Sequence, residues 1–150
     1  MRQWKSPSDD EGSSSLEFIT AGMLLLVPIV YLVLALSTVQ SAALAVEGAA
    51  RQAARVFVQA PNEGEAFARA QRAIDFALQD FGMASNRAVV SITCQPMPSS
   101  CLQRESHVTV GITFLVDMPL VPAVLGLNNL ARIPIDASAT QFVSRLWSGS

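Results

Sequence analysis

The feature that most constrains this chain is one long apolar segment, residues 18–36, which contains no charged side chain. At about 1.5 Å per residue, a helix over this segment spans roughly the 30 Å hydrocarbon core of a bilayer. Its apolar residues occupy every face, whereas a core helix of a small domain usually carries a polar stripe. We therefore predict a transmembrane helix here.

A cleaved secretory signal is the alternative for the same segment. Ala43 and Ala45 have the small-residue spacing of a signal peptidase site. However, the apolar stretch is longer than the usual h-region of roughly 7–15 residues. In addition, Asp9, Asp10 and Glu11 precede it where a signal has a purely basic region. Both observations favour a retained helix.

The overall composition limits the classes of partner. Hydrophobic residues make up 51% of the chain and charged residues 15%, which is apolar for a soluble domain of this size. The formal net charge is −2, so the chain offers no basic surface that releases counterions from a nucleic-acid backbone. We expect contact with a lipid bilayer and no binding of nucleic acid.

The orientation of the helix depends on the charges and cysteines around it. Two basic residues precede the segment and two follow it within the distance that influences topology: Arg2 and Lys5, then Arg51 and Arg55. This count is equal on the two sides. A disulfide between Cys94 and Cys101 would require the C-terminal domain to lie outside the cytosol, and we predict that placement.

The residues that open the apolar segment resemble a known processing site. Gly12 is followed at the fifth position by Glu17, which together with Phe18 begins the hydrophobic run. This pattern resembles type IV prepilins. The short leader, the small residues after Gly12 and the apolar helix more closely resemble the TadE-like minor pilins, or pseudopilins, of tight-adherence (Flp-type) pilus systems.

The resemblance implies a function and a set of partners. Cleavage after Gly12 by a membrane prepilin peptidase would leave Ser13 as the new N-terminus. The product would be a single-pass protein of the bacterial inner membrane that takes part in assembly or priming of a pilus. Its partners would be other pilin or pseudopilin subunits and the pilus assembly machinery, and it would lie in the membrane, in the filament or at the cell surface.

Glu17 has a physical reason for a role, because a carboxylate at the edge of a membrane helix is costly unless it is neutralised or paired. In pilin-like assembly the implied partner is the free α-amine of Ser13 on a neighbouring subunit. The alternative is that Glu17 lies at headgroup level and stabilises the helix N-terminus through the macrodipole and a capping arrangement with Ser14.

We predict three segments: a leader at 1–12, a transmembrane and stalk helix at 13–58, and a small extracytoplasmic α+β head at 59–150. The helix is expected to continue past residue 36 because Val46, Ala50, Ala53 and Phe57 recur on one face. The many alanines there give a thin surface that suits a helix-packed filament core and, equally, an intramolecular bundle.

The head has two kinds of periodicity. A second amphipathic helix is predicted from the apolar spacing of five residues, with Gly82 as its C-terminal stop: Phe67, Ala70, Ile74, Ala77 and Phe81. Period-two alternation then predicts three strands, around Val90–Cys94, Val108–Val116 and Ile133–Ala139. Pro134 suggests that the third begins at an edge. The expected fold is α+β, with the second helix packed on a three-stranded antiparallel sheet.

Two connections stand out by composition. Cys94 and Cys101 bound a short loop that a disulfide would close, and two reduced thiols in an ordinary turn are the alternative. Residues 118–127 are apolar and contain two prolines. They suit either a short helix that completes the core or an exposed patch for a partner subunit or the membrane surface. Leu146 and Trp147 likewise suit a packed terminus or an anchor.

Motifs for catalysis are missing from the sequence. The single histidine, His107, stands at the start of a predicted strand without a nucleophile arranged beside it. CxxC and HExxH spacings and phosphate-binding glycine loops do not occur. We expect no enzyme activity, cofactor or metal. An unprocessed membrane-anchored envelope protein, whose external domain binds other proteins, is the alternative to the pilin-like subunit.

Overall fold

The computed structural model describes residues 11–121 and 131–148, with side chains from residue 15 onward. Residues 1–10 of the predicted leader and residues 122–127 of the predicted apolar connection lie outside this range. The order of elements is helix α1 (Glu11–Val58), helix α2 (Glu63–Gln79), and strands β1 (Ala88–Gln95), β2 (His107–Asp117) and β3 (Arg132–Phe142). The α+β fold with two helices and a three-stranded antiparallel sheet is therefore confirmed.

The chain forms two compact units, Met1–Leu36 and Ser37–Ser150. Helix α1 contributes to both, and it ends at Val58 as the alanine-rich pattern predicted. Pro28 lies inside this helix. By its contacts the predicted stalk, residues 37–58, belongs to the same compact unit as the head.

The second half of α1 forms part of the core of the second unit. Its small side chains recur at helical spacing, so one face is continuously apolar. The residues of this face are almost fully buried: Ala42, Ala45, Val46, Ala49, Ala50, Ala53, Ala54 and Phe57. They belong to one hydrophobic cluster with the buried residues of α2 and the sheet. Of the two uses predicted for the alanine surface, the intramolecular one is observed.

Helix α2 begins with a cap and ends near a glycine, as its sequence indicates. The Asn62 side-chain oxygen accepts a hydrogen bond from the Glu65 amide at 2.9 Å, which satisfies one of the first free N–H groups of the helix. The helix ends at Gln79, and Gly82 adopts a left-handed φ of 69° that is unfavourable for other residues.

The buried face of α2 differs in part from the prediction. The core positions are Ala66, Ala70, Ile74 and Leu78, which follow a strict i, i+4 row. Phe67 and Phe81 were predicted on this face but are about half exposed. Phe67 lies beside the row and contacts the ring of Phe57 edge-on, with centroids 5.1 Å apart. Phe81 lies beyond the end of the helix.

Strand β2 is central in the sheet, which has the order β1, β2, β3 with both pairs antiparallel. The period-two prediction is confirmed because one face of β2 is buried: Val108, Val110, Ile112, Phe114 and Val116. On the opposite face Gly111 lies beside Ser91, and a Cβ atom at Gly111 would approach the Ser91 hydroxyl oxygen to 2.7 Å. Strand β3 is an edge strand, as Pro134 suggested.

Candidate functional site

The apolar segment of α1 has the properties of a membrane span. The large apolar side chains between residues 16 and 36 are all exposed in the described structure. A buried core helix would hide most of them, so that alternative does not fit. Within the part of the chain that the structure describes, Ser15–Val58 is the one helix long and apolar enough to cross a bilayer, which fits a single-pass membrane protein.

The ends of this span are set by polar side chains. Glu17 lies at one end, and the helical rise from Glu17 to Leu36 is about 29 Å, close to the thickness of the hydrocarbon core. Ser37 is the next residue in the chain, and Thr38, Gln40 and Ser41 follow it. Polar side chains therefore flank the apolar segment of α1 on both sides, and the segment between them is about as long as a bilayer is thick.

The structure describes the backbone at the predicted processing site. Gly12 and Ser13 lie in the first turn of α1, which begins at Glu11. Glu17 lies further along the same helix with its side chain exposed, and Phe18 is exposed beside it. Because Ser14 is inside the helix, it is not the N-cap of the uncleaved chain, and the predicted capping arrangement with Glu17 does not fit that form. The roles of Gly12, Ser13, Glu17 and Phe18 in processing and assembly remain predictions.

A cluster of two arginines and one carboxylate lies at one end of the sheet, near the first turn of α1 in the second unit. Asp117 accepts from Arg87 and Arg132, with N···O distances of 2.9 Å to each. Arg87 also donates to the Leu115 carbonyl at 2.8 Å, and its guanidinium lies over the Phe114 ring at 5.4 Å. We call Arg87, Asp117 and Arg132 the arginine cluster.

These neighbours lower the pKa of the Asp117 carboxyl. Desolvation by itself raises its pKa, but the hydrogen bonds from Arg132 and Arg87, together with their positive charges, outweigh that effect and hold the pKa below its ordinary value. All three side chains are between a third and a half exposed, so the ion pairs are screened by solvent.

The sequence carried a signal for this cluster that was missed. Arg87 directly precedes β1, Asp117 ends β2 and Arg132 begins β3. In an antiparallel sheet of this order, the start of β1, the end of β2 and the start of β3 fall at one end. The register pairs Asp117 with Arg132. Aligning the predicted strands would have brought the three side chains together.

An open groove of about 500 Å³ borders the arginine cluster. One wall is the first turn of α1 in the second unit, including Ser37 and Ser41. The other walls include Phe81, Arg87 and Asp117. The groove thus combines hydroxyl groups, an aromatic ring and a charged cluster directly after the residue at which the apolar span ends.

At the end of the second unit away from the arginine cluster, a disulfide and two hydrogen bonds join different segments of the chain. Cys94 and Cys101 form a disulfide with their Cα atoms 5.1 Å apart, which confirms the predicted pairing. The Cys101 amide donates to a Glu63 carboxylate oxygen at 2.7 Å. Trp147 donates from its indole nitrogen to the Ala60 carbonyl at 3.0 Å and packs against the core, whereas Leu146 beside it is 90% exposed.

The described residues show no arrangement for metal binding. Between residues 11 and 148, excluding 122–130, no group of three His, Cys, Asp or Glu side chains is placed to hold an ion. His107 begins β2 and lies against Phe142, with ring centroids 4.2 Å apart. Comparison of the chain with protein-family models, curated proteins and solved structures finds no match.

Proposed function

We propose that this protein is a minor pilin or pseudopilin of a tight-adherence (Flp-type) pilus system. It is processed after Gly12, held in the bacterial inner membrane by the first part of α1, and used in assembly or priming of the filament. The observation that carries the proposal is the Gly12 to Glu17 spacing directly before a bilayer-length helix whose apolar side chains are exposed. The head lies outside the cytosol, and the protein acts as a structural subunit, not as an enzyme.

The position of Gly12 suits proteolysis. A peptidase requires a locally extended chain, and the bond between Gly12 and Ser13 lies in the first turn of α1. The first four N–H groups of a helix lack intrahelical acceptors, so this turn opens at little cost. Glycine lowers helix stability by about 1 kcal/mol relative to alanine, which favours opening further.

Glu17 connects processing to assembly. Cleavage creates a positive α-amine at Ser13, and a carboxylate at the edge of the hydrocarbon needs a partner or a proton. Pairing Glu17 with the Ser13 amine of a neighbouring subunit neutralises both groups as the helix leaves the bilayer. Because the pair joins fixed positions on two helices, it also defines their axial offset.

Packing in the second unit supports retention of α1 over cleavage as a secretory signal. Cleavage after Ala45 would remove Ala42 and Ala45, both buried in the core, and would leave Val46 as a new terminus at a fully buried position. Each loss exposes apolar surface of the core. The folded head therefore needs the chain that precedes Val46.

The same packing limits which part of α1 meets other subunits. The alanine-rich face is covered within the chain. Helix packing in a filament therefore uses the exposed apolar length up to Leu36, which is also the length held by lipid before assembly. One surface serves both states, because lipid and neighbouring apolar helices are similar environments.

The proposal is tested by Glu17→Ala in the native host. We expect normal membrane insertion and processing, with at least tenfold less of the variant in sheared filaments or in complexes with other pilins. Glu65→Ala, which removes an exposed carboxylate from α2, is the matched control and should assemble normally. Normal incorporation of Glu17→Ala would refute the pairing role, and loss of membrane insertion would assign Glu17 to helix placement instead.

A further inference from the structure

The residues that follow the apolar span in the chain enter the headgroup layer when the span crosses a bilayer. The headgroup layer adds about 5–8 Å on each side of the hydrocarbon core, which corresponds to about four or five residues of helix. The span ends at Leu36, so this layer covers the turn that contains Ser37 and Ser41. The same turn forms one wall of the groove beside the arginine cluster.

The arginine cluster fits an anionic group, and two of its residues, Arg87 and Asp117, line the groove. Arg87 and Arg132 carry two positive charges against the single negative charge of Asp117. Two guanidinium groups have about ten N–H donors, and one carboxylate offers about four acceptor positions. The cluster therefore keeps one net positive charge and a surplus of donors of the geometry that binds phosphate.

Exposed apolar side chains lie close to these charges in the chain. Phe81, which lines the groove, is 49% exposed. Leu120, three residues after Asp117, is 76% exposed. Such side chains are unfavourable in water but suit the boundary between headgroups and acyl chains, where an aromatic or leucine side chain inserts beside a cation.

We propose that this end of the head docks on the membrane surface and that the arginine cluster binds the phosphate of anionic phospholipids. Two observations favour this occupant. The lining of the groove includes Ser37, the residue after Leu36, and the arginine cluster beside the groove has a net positive charge when Arg132 is included. Docking holds the head against the bilayer for as long as α1 remains in the membrane. The inference requires only that α1 spans the membrane, and it does not depend on cleavage after Gly12 or on assembly.

The test uses the full chain in nanodiscs of phosphatidylcholine with increasing fractions of phosphatidylglycerol, monitored by amide NMR. We expect saturable shifts at Arg87, Leu115, Asp117 and Arg132, and weak shifts at Cys94 at the other end. Each positive charge near an anionic surface corresponds to about a fivefold change in apparent affinity. Arg87→Gln combined with Arg132→Gln removes two positive charges, so it should weaken the apparent affinity for the anionic lipid about 25-fold or abolish the response.

Two controls distinguish charge from folding. Arg87→Lys combined with Arg132→Lys keeps the charge and should retain most of the response. Arg145→Gln neutralises an arginine that pairs with Glu105 elsewhere on the head, and should leave the response unchanged. Folding of each variant is checked by its amide spectrum in phosphatidylcholine alone.

Several results would overturn the proposal. Identical spectra with and without phosphatidylglycerol would exclude an anionic lipid site, and so would equal responses in the glutamine and arginine forms. Inorganic phosphate or glycerol phosphate producing the same shifts in neutral nanodiscs at millimolar concentration would assign the site to a soluble phosphate. The transmembrane placement of α1 would stand in each case, since it is measured separately by protease protection.

Discussion

Truncating Phe57 tests whether the second half of α1 is a structural part of the head. Phe57 is fully buried, at 0% exposure, and its ring packs edge-on against Phe67. Burial of a Phe side chain removes about 150–250 Å² from water, which at about 25 cal/mol per Å² is worth roughly 4–6 kcal/mol. Phe57→Ala should therefore lower the free energy of unfolding of the head by about 3–5 kcal/mol, the range measured for such truncations.

The matched control is Phe76→Ala, because Phe76 is the same residue type but 69% exposed on α2. It should cost less than about 0.5 kcal/mol. Urea unfolding of the full chain in nanodiscs can be followed by Trp147, the only tryptophan left in a Trp4→Phe background. With a slope of about 2 kcal/mol per molar urea, the midpoint of the Phe57 variant should fall by about 2 M. Equal losses in the two variants would refute the packing of α1 into the head.

Three further predictions concern the sheet and its ends. Replacing Cys94 and Cys101 with alanine should lower stability by about 2–3 kcal/mol, because the disulfide closes a loop with a sequence separation of 7, and melting of oxidised and variant protein measures this loss. The folded-state pKa of Asp117 is lowered, so its ionised carboxylate stabilises the folded protein. This contribution to the free energy of unfolding, less than about 1 kcal/mol, should be present above the ordinary pKa near 4 and should disappear as pH falls through the lower folded value. Unfolding midpoints of wild type and Asp117→Asn between pH 2 and 7 should accordingly converge at the acid end, and a constant difference would contradict the assignment. Gly111→Ala should cost about 1 kcal/mol by crowding the Ser91 hydroxyl, and Ser91→Ala in the same chain should recover most of it; purely additive losses in this cycle would contradict the contact.

The helices and strands were predictable because their apolar residues repeat with clear periods. The alternation at Val108, Val110 and Ile112 indicates a strand with one buried face, since alternate side chains of a strand point to opposite faces. Helix α1 could be followed to Val58 because no proline or glycine interrupts the alanine-rich stretch after Gly48.

Side-chain exposure was harder to predict where two helical rows compete. Phe67 and Ala66 are adjacent in sequence, and periodicity alone favours the larger apolar residue for the core. In the structure Ala66 is buried, whereas Phe67 is half exposed and contacts the ring of the fully buried Phe57 edge-on. Sequence cannot give such a choice, which depends on the volume left by other elements.

The candidate sites divide in a similar way. Gly12 and Glu17 are identified from sequence spacing, and the structure adds that they lie on one continuous helix. The arginine cluster required strand register, because Arg87 and Asp117 are far apart in sequence and are joined only by pairing across β1 and β2. Which occupant a surface receives, lipid or protein, depends on molecules outside the chain.

Cleavage after Gly12 is the central claim, and the most direct measurement is the N-terminus of the protein isolated from its native host by mass spectrometry. A mature chain that begins at Ser13, with the Gly12→Ala variant retaining its leader, is the predicted result. An intact Met1 in a host that contains prepilin peptidase would contradict the claim. A chain that begins at Val46 would instead identify the apolar segment as a secretory signal.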